Sequence, residues 1–316
     1  MLFLHYNAAK NSAQFGKLSE MRHLQTFRLI ESVVRAGSVR KAAEDMNITS
    51  SALNRRIQGF EEEFGYQIFE RLPRGMRLNS AGEMLMQHIR SQISDLERVR
   101  SQVADLSGER RGRVSIACSQ ALLPYFLPEQ IARYRRDHPG VSFAVNVRDR
   151  VQAERDLGTF KSDLALVFEP VYMVEFELLL SVPQPIYAIM ARDHPLASRE
   201  ILRLRDCLAF PHALPTSAYG VRDLLESAVA GRPYGLNPLV ESDSFEFLRH
   251  YVVNESVVSF QIPIGLKTEP DRDLVFREVS QKDVPAGHLL LGQLRGRTLP
   301  VASNRFAAQL SSVLER

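Results

Sequence analysis

The chain has little cysteine and no long apolar run. Cys118 and Cys207 are the only cysteines in 316 residues, fewer than a secreted disulfide scaffold needs, so we expect a reducing compartment. No stretch reaches the roughly 18 consecutive apolar residues of a membrane-spanning helix, and the first residues lack the pattern of a signal peptide. With 45% hydrophobic and 24% charged residues, the composition is globular and excludes disordered and collagen-like classes.

Catalytic and metal-binding motifs are also missing from the sequence. It contains no Gly-x-Ser-x-Gly element, phosphate-binding loop or dinucleotide fingerprint. The eight histidines form no His-x-x-x-His pair, so no metal site is predicted. Neither cysteine stands beside a basic cluster, which favours buried structural thiols over a redox switch. We therefore predict no catalytic residue, no metal, no cofactor and no enzymatic activity.

Charge is unevenly distributed along the chain. Residues 1–113 carry five more positive than negative charges, whereas residues 114–316 carry two more negative than positive ones. An electropositive front end on a near-neutral body indicates a polyanionic partner for the front end. An ordinary solvated surface is the alternative that this surplus alone does not exclude.

Short amphipathic helices are predicted near the N-terminus of the chain. Residues 1–20 show no clear period, and we interpret them as an extension, a tag remnant or the result of an upstream start codon, with Met21 as the natural start. A first helix follows, with apolar residues three and four positions apart. Ser38 is placed to cap a second helix over Val39–Met46, and Thr49 a third over Ser50–Glu63. Two short helices joined by a three-residue turn predict a helix-turn-helix unit.

A basic hairpin and a long helix come next. Pro73 and Gly75 predict a turn between two short extended pieces, which makes a wing beside the helix-turn-helix. The long helix begins at Asn79 or Ser80 and has about 27 residues, which span about 40 Å. Its apolar stripe approximates a heptad seam, which favours a dimer interface over packing on its own chain. The stripe consists of Leu85, Ile89, Ile93, Leu96, Val99, Val103 and Leu106.

Beyond residue 112, strands and helices alternate, which predicts a parallel sheet. Strands are predicted at 114–117, 141–147, 164–168, 186–191, 239–241, 257–261, 274–279 and 288–294. Helices are predicted at 122–136, 220–230, 244–253 and 302–314.

The N-terminal pattern resembles the LysR-type family of transcriptional regulators in both content and spacing. The matching strings are Ala42-Ala43-x-x-Met46-Asn47-Ile48-Thr49-x-Ser51-Ala52-Leu53-x-Arg55-x-Ile57-x-x-Phe60-Glu61-x-x-Phe64-Gly65-x-x-Ile68-Phe69-x-Arg71 and Arg77-Leu78-Asn79-x-Ala81-Gly82. Further on, His138-Pro139-x-Val141 and Ser162-Asp163-Leu164-Ala165-Leu166 are similar to the first lobe of the family's effector-binding domain. The chain departs from the family at Asn54, Phe60 and Asn79, and at Ser256 and Val258, where glycines are usual.

The resemblance implies an α+β multidomain fold. Its expected parts are an N-terminal extension (1–20), a winged helix-turn-helix DNA-binding domain (21–78), a linker or dimerisation helix with its hinge (79–112), and a two-lobed α/β effector-binding domain (113–316). The last part is similar to periplasmic binding proteins, with lobe 1 over about 113–169 and 267–316 and lobe 2 over about 170–266. The implied assembly is a homodimer through the linker helix, and further a homotetramer.

The third helix is expected to enter the major groove with its N-terminal end nearest the bases. Serine bonds to several bases and asparagine reads adenine, whereas arginines contact phosphate or guanine. The predicted DNA-contacting residues are Ser38, Thr49, Ser50, Ser51, Asn54, Arg55, Arg56, Arg74 and Arg77. A solvated face is the alternative for the arginines.

An effector is expected beyond the carboxyl ends of the strands, near helix N-termini. The candidates there are Ser119, Gln120, Phe168, Thr216, Ser217, Ser242 and Gln261. Serine and threonine at helix starts are often only caps, and Phe168 suits a core as well as a pocket wall. Helix N-termini favour an anion, so a small organic acid is predicted. The alternative is an apolar ligand held by Phe168, Tyr219 and Tyr125.

Taken with the resemblance, these features predict a cytoplasmic regulator that binds double-stranded DNA and a small-molecule effector. The rival interpretation is an enzyme or solute-binding protein on the same two-lobed body, with the N-terminal helices serving assembly alone.

Overall fold

A computed structural model describes residues 22–72, 75–106, 111–169, 174–266 and 272–315. The chain divides into two compact units, Met1–Glu97 and Arg98–Arg316. None of the described helices is long and apolar enough to cross a membrane.

The first unit contains three helices, a hairpin and the start of a long fourth helix. These elements are α1 (Arg22–Ala36), α2 (Val39–Asp45), α3 (Ser50–Phe64), β1 (Phe69–Leu72), β2 (Gly75–Leu78) and α4 (Ser80–Leu106). Strands β1 and β2 pair antiparallel, so the predicted helix-turn-helix and wing are both present.

Small side chains and a left-handed turn allow α2 and α3 to cross closely. Ala42 and Ala43 are buried in the unit's core, where a longer side chain would separate the helices. Asn47 has a φ of 52°, a conformation that asparagine tolerates better than most residues. Thr49 caps α3 through its side chain, as predicted.

The apolar stripe of α4 divides into two parts, which corrects the expectation of one continuous dimer seam. Leu85 and Ile89 are buried in the hydrophobic core of the first unit, and Ile93 packs against that core. Val99 and Val103 are exposed by 45% and 42%. The start of α4 therefore stabilises its own chain, because α1 and α3 present an apolar surface that their own residues do not cover.

The second unit contains two main sheets and the helices that cover them. Its strands are β3 (Arg111–Cys118), β4 (Gly140–Val147), β5 (Leu164–Phe168), β6 (Phe176–Gln184), β7 (Tyr187–Ala191), β8 (Ile201–Leu202), β9 (Ala213–Pro215), β10 (Val240–Ser242), β11 (Ser259–Gln261), β12 (Leu274–Val279) and β13 (Gly287–Leu294). Its helices are α5 (Phe126–Asp137), α6 (Arg150–Gly158), α7 (Leu204–Leu208), α8 (Gly220–Val229), α9 (Phe245–Asn254) and α10 (Val301–Leu314), with short 3₁₀ helices at Gln120–Leu122 and Pro263–Gly265.

The two sheets define two lobes. The first lobe has the strand order β4-β3-β5-β13-β6, and the second has β11-β7-β12-β8. Strand β3 runs parallel to β4 and β5, as predicted, whereas β13 pairs antiparallel with β5 and β6. Because β6 belongs to the first sheet and β12 to the second, the chain crosses between the lobes at 185–186 and 280–286. Both crossings come later than the expected positions near 170 and 267.

Proline accounts for two differences between the predicted and the observed elements. The helix predicted from residue 122 is interrupted, and α5 starts only at Phe126, because Pro124 offers no backbone donor and restricts the residue before it. Strand β6 was not predicted, and it contains Pro183. It lies at the sheet edge, where a strand tolerates proline.

Candidate DNA interface and effector cleft

The N-terminal turn of α3 presents short polar side chains on the surface of the first unit. Ser50 and Ser51 are exposed and Asn54 is half-buried. Thr49 is also exposed, and its Oγ1 accepts a hydrogen bond from the Ala52 amide at 3.2 Å. The structure therefore brings four of the predicted residues to one helix end, in the arrangement that direct contact with base edges requires.

The predicted basic residues occupy different environments. Arg55 and Arg56 are both exposed on α3. Arg77 lies on β2 and its Nε is 2.8 Å from Glu70 Oε2 across the hairpin, so part of its charge is compensated. Arg74 lies outside the described residues. Ser38 precedes α2, and its side chain accepts no capping hydrogen bond from the described part of the unit, contrary to the prediction.

Backbone contacts fix the hairpin against the helices. The Met76 amide donates to the Gly37 carbonyl at 3.0 Å, and a Cβ on Gly75 would overlap that same carbonyl oxygen. On the other side, Glu61 Oε1 accepts a hydrogen bond from the Ile68 amide at 2.8 Å. These contacts hold the wing against the turn between α1 and α2 and against the C-terminal half of α3.

Arg71 belongs to the matching string of the sequence but was not predicted to contact DNA. It is exposed on β1, and its Nη2 donates to Asn54 Oδ1 at 3.4 Å. This contact orients the Asn54 amide and places a cation beside it. The spacing of 17 residues between the two gives no local sequence signal for this pairing.

The predicted effector residues lie around the junction of the two lobes. Ser119, Phe168 and Gln261 line a cavity there. Ser119 Oγ accepts from the Ala121 amide at 3.5 Å, so the residue caps the first 3₁₀ helix, and Gln261 Oε1 accepts from the Ile262 amide at 3.0 Å. Phe168 is 4% exposed. The Phe168 backbone packs closely against the start of α8, because a Cβ on Gly220 would lie 3.0 Å from the Phe168 carbonyl oxygen.

The other candidates stand around this cavity and not in its wall. Gln120 forms its hydrogen bonds across the lobes, to residues of the second lobe. The Thr216 amide donates to the Ser242 carbonyl at 3.1 Å, Ser217 is exposed, and Ser242 Oγ accepts from the Ser244 amide at 3.1 Å. Local backbone capping therefore accounts for the Ser242 side chain.

The cavity is also lined by Arg148, Arg150 and Phe245, which were not among the predicted effector residues. Tyr219 lines it as well, and it was predicted only for the alternative of an apolar ligand. Arg148 and Arg150 follow β4 directly, so the strand-end rule applied to the first lobe would have found them. Arg148 Nε is 2.6 Å from Asp156 Oδ2. Burial raises the pKa of Tyr219 above its ordinary value, and a hydrogen bond from Gln120 partly opposes that shift.

Both cysteines are buried, which confirms the prediction of structural thiols. Burial raises the pKa of each thiol to about 12, so the thiolate that redox chemistry needs is scarce at neutral pH. Among the described residues, no group of three or more His, Cys, Asp and Glu side chains is arranged to hold a metal ion.

Family models match both parts of the chain. Residues 23–83 match the bacterial regulatory helix-turn-helix protein model of the lysR family. Residues 107–315 match the LysR substrate binding domain, which covers more than half of the chain.

Individual relatives and solved structures agree with these models. The chain is 27% identical over 246 residues to the uncharacterized HTH-type transcriptional regulator YbhD of Escherichia coli strain K12, covering 78% of this chain and 76% of that protein. Its fold is similar to a full-length OxyR variant from Pseudomonas aeruginosa, with a TM-score of 0.68, 19% identity and coverage of 92% and 94%. It is also similar to full-length CbnR complexed with its target DNA, with a TM-score of 0.55, 15% identity and coverage of 93% and 99%.

The relatives are transcriptional regulators. This does not favour the rival interpretation, in which the helix-turn-helix serves assembly alone. A winged helix-turn-helix is followed by a two-lobed effector domain, and both parts match models of one family. The chain therefore belongs to the LysR family, as a DNA-binding transcriptional regulator modulated by a small-molecule effector.

Proposed function

We propose that the protein reads paired half-sites on duplex DNA as a homodimer, and that a small organic acid in the cleft between the lobes modulates this reading. The observation that carries the DNA part is the clustering of Ser50, Ser51 and Asn54 at the exposed end of α3. Because its DNA partner lies in the cytoplasm of a bacterial cell, we place the protein there.

Base reading and phosphate contact fall to different side chains in this proposal. The short polar groups reach base edges, whereas Arg55 and Arg56 neutralise phosphates on either side of the groove. Thr49 and Ser38 lie at the starts of α3 and α2, where backbone amides contact phosphate. On the wing, Arg74 and Arg77 follow the backbone or enter the minor groove.

Salt dependence tests the phosphate contacts. Removal of one phosphate contact should reduce the slope of log K against log salt by about 0.9. We expect Arg55→Ala and Arg56→Ala each to reduce this slope and to weaken binding to every duplex equally, as measured by fluorescence anisotropy. Arg205→Ala is the matched control, since it removes an exposed arginine of the second unit. Equal slopes for the wild type and these three variants would contradict the assignment.

The dimer is proposed to form through the last turns of α4. Val99 and Val103 keep the heptad spacing and are exposed, and the cyclic symmetry of a dimer would pair them with the same residues of a second copy. Such dimers would assemble further into the homotetramer. Val103→Asp should give monomers in sedimentation velocity. Exposed Met84→Asp is the control, and dimers retained by Val103→Asp would refute this interface.

A small acid suits the cleft better than an apolar ligand does. Phe168 is packed against Gly220 and Gly287, so its ring is committed to the core. The hydroxyl of Tyr219 donates to the Asp243 carbonyl at 3.0 Å, and Tyr125 accepts from Arg249. The hydroxyls of both tyrosines are thus engaged, while two arginines, each paired with an aspartate, line the cavity.

The acid is tested with a panel of small carboxylates and their uncharged amides. Ligand binding to the folded state raises the melting temperature, so at least one carboxylate should raise it more than its amide does. Arg150→Ala should remove this difference. A panel in which no carboxylate shifts the melting temperature would contradict the proposed effector class.

A further inference from the structure

The cleft between the lobes is closed, and Gln120 bridges the lobes beside it, since two of its hydrogen-bond partners, Tyr219 and Phe245, line the cavity. The cavity lined by Ser119, Phe168 and Gln261 has a free volume of about 10 Å³, which is the space of about one water molecule. An organic effector cannot enter this cavity unless the lobes separate.

Gln120 makes three hydrogen bonds from the first lobe to the second. Its Nε2 donates to the Asp243 carbonyl at 2.6 Å and to the Tyr219 hydroxyl at 3.0 Å. Its Oε1 accepts a hydrogen bond from the Phe245 amide at 3.2 Å. Phe245 is the first residue of α9, and the amide of a first helical residue has no partner within its own helix. The carboxamide therefore satisfies a donor and two oxygens of the second lobe at once.

Arg150 makes a second connection between the lobes. Its Nη2 is 2.6 Å from Asp223 Oδ2 on α8, and its Nε donates to the Ala218 carbonyl at 3.3 Å. A third bond runs from Nη1 to the Glu169 carbonyl of its own lobe at 2.9 Å. Separation of the lobes thus requires that the contacts of both Gln120 and Arg150 break.

A ligand that takes the place of the Gln120 carboxamide competes with it best if it makes the same hydrogen bonds, because a hydrogen bond made within the protein is a net gain over the one made to water. A carboxylate oxygen can accept from the Phe245 amide. A carboxylate alone, however, offers no donor to the Asp243 carbonyl. A hydroxyl or ammonium group on the carbon next to the carboxylate supplies that donor.

We propose that Gln120 is an internal competitor of the effector, and that the effector carries a carboxylate beside a hydroxyl or an ammonium group. Effector binding replaces the three Gln120 hydrogen bonds and holds the lobes apart. This inference rests on the proposed site for the effector. It makes Gln120 a specificity-determining residue, since the ligand must satisfy the same groups that the carboxamide satisfies.

Gln120→Ala tests the competitor, with Gln309→Ala as the matched control. Gln309 is also half-buried and bonds through its amide to Gln130, but within the first lobe. In the full chain, hydrogen exchange of the Phe245 amide should be at least tenfold faster in Gln120→Ala than in the wild type. Exchange at Phe245 should be unchanged in Gln309→Ala. Equal exchange in all three proteins would overturn the proposal, even if both variants are slightly less stable.

Chemical rescue tests the same contacts from the ligand side. Acetamide carries the group that Gln120→Ala lacks, so it should bind this variant at least tenfold more tightly than it binds the wild type or Gln309→Ala, as measured by ligand-observed NMR. It should also restore the protection of the Phe245 amide. Equal affinity for the three proteins would overturn the proposal. Gln120→Glu keeps the side-chain length and the acceptor for the Phe245 amide but removes the donor to the Asp243 carbonyl, so it should keep the Phe245 amide protected, unlike Gln120→Ala.

Matched pairs of acids test the ligand class. Glycolate and glycine each add one donor group to acetate, a hydroxyl or an ammonium, so both should bind Gln120→Ala several-fold more tightly than acetate does. Equal affinity for the three would overturn the proposed chemistry of the effector. If acetamide rescues Gln120→Ala but none of the three carboxylates binds, the organic-acid effector fails while the role of Gln120 stands.

Discussion

Two glycines inside helices of the first unit should respond to alanine in opposite directions. A Cβ on Gly82 of α4 would overlap the Ile68 carbonyl oxygen and would lie 2.9 Å from Leu78 Cδ2. A Cβ on Gly59 of α3 would meet no described atom within 4 Å. Both positions are helical, so the difference between them isolates the effect of the close approach.

The magnitudes follow from opposing contributions. Alanine in a helix interior is favoured over glycine by about 1 kcal/mol, and Gly59→Ala should gain most of this. Gly82→Ala, in the first turn of α4, makes only part of this gain, and overpacking against backbone costs about 1–3 kcal/mol and occasionally more. Because the atom it overlaps is a main-chain oxygen that cannot rotate away, we expect a net loss in the free energy of unfolding of about 2 kcal/mol.

Urea denaturation of the full chain, followed by circular dichroism, measures both effects. The two units need not unfold together, so the transition of the first unit should be followed through DNA binding as well. Gly59→Ala should move the midpoint of that transition upwards and Gly82→Ala downwards. A Gly82→Ala protein as stable as Gly59→Ala would show that α4 does not approach the hairpin as described.

Other substitutions and a change of pH give further expected outcomes. Asn79→Ala removes the cap of the Gly82 amide and should lower the free energy of unfolding of the first unit by about 1 kcal/mol, as measured by urea denaturation. A midpoint equal to that of the wild type would contradict this. Asp163→Asn weakens a buried ion pair with Arg297 and should lower the stability of the second unit by about 3–5 kcal/mol; a loss under about 1 kcal/mol would contradict this. The thiols of Cys118 and Cys207 have pKa values raised from 9.0 to about 12. Since the unfolded chain releases these protons at lower pH than the folded chain, the free energy of unfolding should fall as pH rises through 9 towards 12. A Cys118→Ala, Cys207→Ala double variant should lose this dependence relative to wild type, and an identical pH profile in both proteins would refute it.

Much of the fold could be predicted where local signals agree with the tertiary structure. Strands β5 and β12 have the predicted bounds, because β5 is a short apolar run and β12 begins with one. Helix α6 was not predicted, since its sequence is mostly polar and only Ala153, Asp156 and Leu157 are buried. Its position depends on packing against the sheet, and the hydrophobic periodicity of its own sequence gives no signal of that packing.

The site was predictable in position but not in its contacts. The strand-end rule located Ser119 and Gln120, because that rule depends on sheet topology alone. The partners of Gln120 lie 99 to 125 residues away, and no local pattern indicates them. For the same reason, the contact of Arg71 with Asn54 was missed. Phe168 was suited to a core or a pocket wall, and it is buried and also lines the cavity.

The account depends most directly on the reading of bases by α3. Selection of bound sequences from a random duplex pool, followed by sequencing, tests this with the wild type and Asn54→Ala. The wild type should enrich two related half-sites, and Asn54→Ala should lose preference at one base position in each half-site while its affinity for non-specific duplex stays unchanged. Enrichment of the same motif, with the same strength at every position, by both proteins would contradict the account.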